Sequence, residues 1–211
     1  WAATDNTPPE NRAFLGLLPA FDFYWGDLAR RLDLSEPPGG AATLKALREA
    51  LGLLGEANRA GDAAERAARL SGGQQALRAV VQGFPLSYVG RRRARVLEGL
   101  AHYERGRALL AAEPAGASSA FLAAYVAFDE ALKTQTMVGG DGQVINTLVG
   151  LAAMNLTPRI EAGTRQGDLG SDELALLLAR FHQPWALYRL RALAPESAAG
   201  REAEELYKQD V

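Results

Sequence analysis

The sequence predicts an all-α protein, and three observations carry that expectation. Alanine and leucine, both strong helix formers, dominate the composition. Apolar residues recur at helical spacing in most windows. Gly, Pro and Ser clusters interrupt those stripes at short intervals, and no window sustains a β alternation of Val, Ile and Thr. About eight short helices follow, joined as antiparallel hairpins in a bundle or a short irregular solenoid.

Thr7-Pro8-Pro9-Glu10 opens the first helix: Thr7 caps, proline suits the first turn and Glu10 lies three residues on. Phe14, Leu15, Leu17 and Leu18 carry it to Pro19. Phe21, Trp25, Leu28 and Leu32 then fall on one helical face, before the loop at 35–40. Thr43 is expected to cap a helix whose stripe is Leu44, Leu47, Leu51 and Leu54. Asp62 and Glu65 form a capping box for a helix to Leu70. Ser71-Gly72-Gly73 is expected to break that helix, with Ser71 and Gln74 starting another. Gly83-Phe84-Pro85 ends the segment, and Ser87 caps a long helix to about Ala112, with Val96, Leu97, Leu100 and Tyr103 apolar. After the turn at 113–116, Ser118 or Ser119 caps a helix carrying Phe121, Leu122, Tyr125, Phe128 and Leu132.

Gly139-Gly140-Asp141-Gly142 is the strongest break in the chain, and the apolar segment from Val144 to Leu151 follows it. Ser171-Asp172 opens a helix bent at Pro184 and ended by Pro195, and Ser197 begins a short last helix to about Lys208. One helical domain over residues 1–211 is expected, with a subdivision near 139–142 as the alternative.

A chain of 211 residues buries roughly 70% of the surface it exposes when unfolded, so neither metal nor disulfide is required to hold it. A hydrophobic fraction of 48% excludes the disordered class. The absence of Cys excludes disulfides, thiolate metal sites and a cysteine nucleophile. A net charge of -2 and a pI near 5.8 argue against broad nucleic-acid binding. The basic residues include only three lysines, Lys45, Lys133 and Lys208, which fits the arginine bias of a GC-rich bacterial genome. The apolar runs at 120–128 and 148–154 fall far short of the roughly 20 residues a membrane helix needs. The chain starts at Trp1 with a polar, Pro-containing stretch, as mature exported proteins do. A bacterial periplasmic or envelope location is therefore expected, with a cytoplasmic one as the alternative.

Leu70-Ser71-Gly72-Gly73-Gln74-Gln75 resembles the signature motif of ABC transporter ATPases. That family also carries a P-loop lysine and a sheet, and none of the three lysines here lies in such a loop, so the string reads as a helix boundary. Glu98 and His102 share a helical face at i, i+4, with Glu104 nearby; this is half of a site. The segment from Gly99 to Glu104 resembles the Gly-x-His-x-x-Glu of imelysin-like envelope proteins at a different spacing. Neither His102 nor His182 has a Glu three residues before it, as carboxylate-bridged di-iron bundles require. Ala124, Phe128, Ala131 and Leu132 are similar to the second helix of a tetratricopeptide repeat, and no 34-residue period recurs. No catalytic residue, metal or cofactor is assigned.

Two local features exceed what packing requires. Phe14, Phe21, Phe23, Tyr24 and Trp25 place five of the sixteen aromatics within twelve residues. Phe21, Phe23, Tyr24 and Trp25 are the expected protein-binding residues, because aromatics supply interface hot spots. Arg91, Arg92, Arg93 and Arg95 are the one charge run, near a helix start where the dipole disfavours cations. They are the expected contacts to an anionic partner, or to acidic residues of neighbouring helices. The leading expectation is a non-enzymatic accessory or scaffold subunit of a bacterial envelope assembly. Its partners are other protein subunits, with contact to a membrane surface. A small-molecule-binding or enzymatic bundle, with a pocket near Trp25, His102, Tyr103 and Trp185, is the second. A cytoplasmic regulatory factor using the arginines is the third.

Overall fold

The computed structural model describes residues 25–34, 40–84, 89–132, 137–138, 144–145, 170–193, 200–201 and 204–205. They form six helices: α1 (Trp25–Arg31), α2 (Gly40–Ala57), α3 (Ala63–Gly83), α4 (Val89–Leu109), α5 (Pro114–Leu132) and α6 (Ser171–Leu193). The all-α expectation holds. The expected helix at Thr7 and the sequence from 146 to 169 lie outside the described residues. A minimal antiparallel pairing was not anticipated: β1 (Met137–Val138) bonds β2 (Val144–Ile145), with Met137 opposite Ile145. It brackets the Gly139–Gly142 sequence.

α2 to α5 pack as successive antiparallel hairpins, and α6 closes against α5 and α4. α4 is enclosed on nearly every side, by α3, α5 and α6. α1 ends in a Schellman cap. The Leu34 N–H donates to the Ala29 carbonyl, the Asp33 N–H donates to the Arg30 carbonyl, and Asp33 takes the left-handed φ of 56°. Asp62 caps α3 as expected, its Oδ1 accepting the Glu65 N–H at 2.7 Å, and Glu65 Oε2 accepts the Gly61 N–H at 3.1 Å.

Three expected boundaries are corrected. Ser71-Gly72-Gly73 does not break a helix; it lies inside the continuous α3. The glycines serve close approach. A Cβ on Gly73 would sit 2.7 Å from Leu54 Cδ2, and one on Gly72 would sit 3.3 Å from Leu53 Cδ1, so α2 occupies the space that side chains would need. The helix bonds and the apolar seam of α3 outweigh the propensity cost of about 1 kcal/mol per glycine. Thr43 does not cap; α2 starts at Gly40, and buried Thr43 packs where Gly83 has no side chain. Ser118 and Ser119 do not cap; α5 starts earlier, with Pro114 at the first helical position, where its missing N–H costs nothing.

The α4–α5 seam repeats the same device with aromatics. A Cβ on Gly99 would lie 2.6 Å from the Phe128 ring, and one on Gly106 would lie 2.8 Å from the Phe121 ring. Both pairs are seven residues apart on their helices, so two rings seat in two notches of an antiparallel pair. Between the two notches, Tyr103 meets Phe121 at 5.4 Å and His182 at 5.3 Å, which joins α4, α5 and α6.

Candidate ligand-binding cleft

α3 and α5 flank α4 from two sides, and a cleft of about 400 Å³ lies between them. Arg95, Glu98 and His102 of α4, spaced i, i+3, i+7, are its polar floor. Arg78 and Val81 belong to the α3 wall, and Ala123, Val126, Ala127 and Glu130 to the α5 wall. The half-site seen in the sequence, Glu98 with His102, thus acquires its other half from Arg78, Arg95 and Glu130.

Glu98 is only 2% exposed. Its Oε2 accepts a hydrogen bond from Arg95 Nη1 at 2.6 Å. Its Oε1 forms an ion pair with Arg78 Nε at 3.5 Å and lies 3.9 Å from the neutral His102 Nε2. Arg95 also reaches Glu130, with Nε 2.8 Å from Oε2. Burial pushes His102 down to about 4, and the nearby guanidiniums of Arg78, Arg105 and Arg95 push the same way. His102 is therefore neutral at pH 7. Two arginines against two glutamates leave the lining without net charge.

α4 carries a second buried carboxylate, Glu104. Arg66 of α3 donates to its Oε2 at 3.2 Å and Arg107 donates to its Oε1 at 2.8 Å. The Arg66 bond ties α3 to α4, while the Arg107 bond stays within α4. His182 is also neutral, held near 4 by burial, and its Nδ1–H donates to the Leu178 carbonyl at 2.7 Å.

The four residues of the expected pocket do not converge. His102 lines the cleft; Tyr103 points into the α4–α5–α6 core, where burial pushes its hydroxyl up to about 12. Trp25 is buried in α1, and Trp185 packs edge-on against Tyr188. Of the expected protein-binding aromatics, Phe21, Phe23 and Tyr24 lie outside the described residues, and Trp25 belongs to the core.

The arginine run finds carboxylates within the chain. Arg93 Nη1 is 2.9 Å from Asp33 Oδ2, and its Nε is 2.8 Å from Asp172 Oδ1 in the first turn of α6. Burial lowers the Arg93 pKa, and Asp172 with Asp33 more than offsets that, for a net rise. Asp172 and Asp33 thus compensate a cation at an unfavourable helix end. Arg95 serves the cleft. Arg91 and Arg92 have no carboxylate within ion-pair distance among the described residues, and burial lowers the Arg92 pKa.

Sequence reasoning missed Arg78 and Glu130. Arg78 left no local signal, since its carboxylate partner Glu98 lies on the next helix and only packing brings the two together. Among the described residues no group of three or more His, Asp or Glu could hold a metal, and no helix is long and apolar enough to cross a membrane. Comparison with protein-family models, with curated proteins and with solved structures finds no match for the chain.

Proposed function

We propose that the protein is a non-enzymatic helical binding protein that holds its ligand in the cleft between α3, α4 and α5. One observation carries the reading: His102, which lines a cleft of about 400 Å³, has a buried ring Nδ1 without a hydrogen-bond partner. A buried polar atom left incompletely paired costs free energy that a ligand donor recovers. The cleft volume falls within the range of small-ligand sites. Binding is favoured over catalysis because Arg95 and Glu98 are committed to each other, and Arg95 is committed to Glu130 as well. A bacterial envelope setting is part of the same proposal. Native mass spectrometry of the chain purified from its source tests the reading. The wild type is expected to carry a bound species that Val126→Asp loses. A wild type that carries nothing, or a variant that keeps its cargo, contradicts it.

The accessory-subunit reading draws on a different observation. Leu122 and Val126 lie one turn apart on α5 and are both exposed, and Val126 also lines the cleft. Exposed large apolar side chains of this kind serve protein partners. Leu122→Lys is expected to release a co-purifying subunit while leaving the helical content unchanged.

A further inference from the structure

We propose that the cleft takes a small uncharged ligand with a short aliphatic body, an amide or an alcohol, whose N–H or O–H donates to Nδ1 of His102. The proposal rests on the reading of the cleft as a ligand site and names what enters it. The first observation is the ring itself. His102 is 7% exposed, it lines the cleft, and its buried Nδ1 has no hydrogen-bond partner. Burial, and after it the guanidiniums of Arg78, Arg105 and Arg95, keep the ring neutral at pH 7. A neutral imidazole carries one proton, so one of its nitrogens is a donor and the other an acceptor. Nε2 lies 3.9 Å from the Glu98 carboxylate, and the proton belongs there, since a lone pair on Nε2 would face negative charge. Nδ1 is therefore the acceptor, and what satisfies it must bring a donor.

The second observation is what that acceptor refuses. A carboxylate has no proton to give and would set its lone pairs against that of Nδ1. An ammonium has protons, but it would meet the positive field of Arg78, Arg105 and Arg95, the same field that resists a proton on the ring. A hydroxyl or an amide N–H meets neither obstacle. The third observation is the rest of the lining. Its arginines and glutamates are engaged with one another, Arg78 and Arg95 with Glu98 and Arg95 with Glu130, so no charge of one sign is left over. Gln82 adds a neutral amide, and Val81, Ala123, Val126 and Ala127 add small apolar surface. A volume of about 400 Å³ suits a compact body rather than a long chain.

Nitrogen NMR of the imidazoles in the full chain tests the acceptor without any ligand. The His102 proton is expected on Nε2, and a proton on Nδ1 would overturn the proposal. Isobutyramide, isobutyrate and isobutylammonium, which match in size, then test the class through the same His102 signals. The amide is expected to shift Nδ1, and both ions are expected to bind roughly tenfold more weakly or worse. His102→Phe keeps a buried ring and removes the acceptor. It should bring the amide down to the affinity of the ions, read from the signals of the small molecules, with circular dichroism checking the fold. An ion that binds as tightly as the amide, or a variant that keeps the amide's advantage, would overturn the uncharged donor and leave the cleft as a binding site. No response to any of the three would also overturn the proposal, while the cargo measured by native mass spectrometry decides the cleft separately.

Discussion

Two buried glutamates on α4 differ in one respect that separates structure from function. Glu104 is 5% exposed and each of its oxygens accepts a hydrogen bond, one from Arg66 and one from Arg107. Glu98 is 2% exposed, yet only one oxygen is bonded, and its donor Arg95 is shared with Glu130. The same chemistry on one helix yields a closed staple at one end and an open acceptor beside a cleft at the other. A carboxylate with both oxygens bonded specifies packing, whereas one with an oxygen free of hydrogen bonds beside a cleft stays open to water or a ligand.

The largest expected effect removes each carboxylate's neighbour. Arg95→Met leaves Glu98 buried with no hydrogen bond and should cost about 3–5 kcal/mol in urea unfolding. Arg107→Met leaves Glu104 bonded to Arg66 and should cost about 1–2 kcal/mol. Equal losses would erase the distinction between the two sites.

Acid should sharpen the contrast next. Both histidines have folded pKa values depressed from 6.5 to about 4, chiefly by burial. The unfolded chain then binds protons that the folded chain refuses, so the stability they contribute is full above pH 6.5 and is lost as pH falls towards 4. The loss reaches up to about 3 kcal/mol per histidine at pH 4. His102→Gln should remove its share of the slope between pH 6.5 and 4 and leave that of His182. An unchanged slope would mean that His102 ionises freely in the cleft.

Smaller effects probe the seam that fixes the α5 wall. Gly99→Ala drives a methyl into the Phe128 ring and should cost about 1–3 kcal/mol. Gly52→Ala, with nothing within 4 Å of the added atom, should stabilise α2 by about 0.5–1 kcal/mol. Thermal melts of the two variants should therefore move in opposite directions.

The sequence displays the stripes Trp25, Leu28, Leu32 and Leu47, Leu54 because burial imposes helical spacing on them. It also displays the Asp62–Glu65 box, a contact within one turn. It conceals Gly72, Gly73 and Gly99, because a glycine that breaks a helix and a glycine that admits a neighbour look the same until the neighbour is placed. The same limit hides the cleft. Glu98 and His102 are four residues apart and legible as a pair, whereas Arg78 and Glu130 come from helices that only the packing of α3 and α5 around α4 brings together. The intrachain partners of Arg93 are hidden for the same reason, since Asp33 and Asp172 are far from it in sequence.

The most direct test compares the two histidines as reporters. His102 lines the cleft and His182 is sealed among Tyr103, Phe128 and Phe181. Imidazole nitrogen shifts, followed by NMR before and after the species that co-purifies with the full chain is stripped from it, should move for His102 and stay fixed for His182. A His102 signal that does not move when that species is removed, or equal movement of both histidines, would contradict a binding site on the α3–α4–α5 side of the helix.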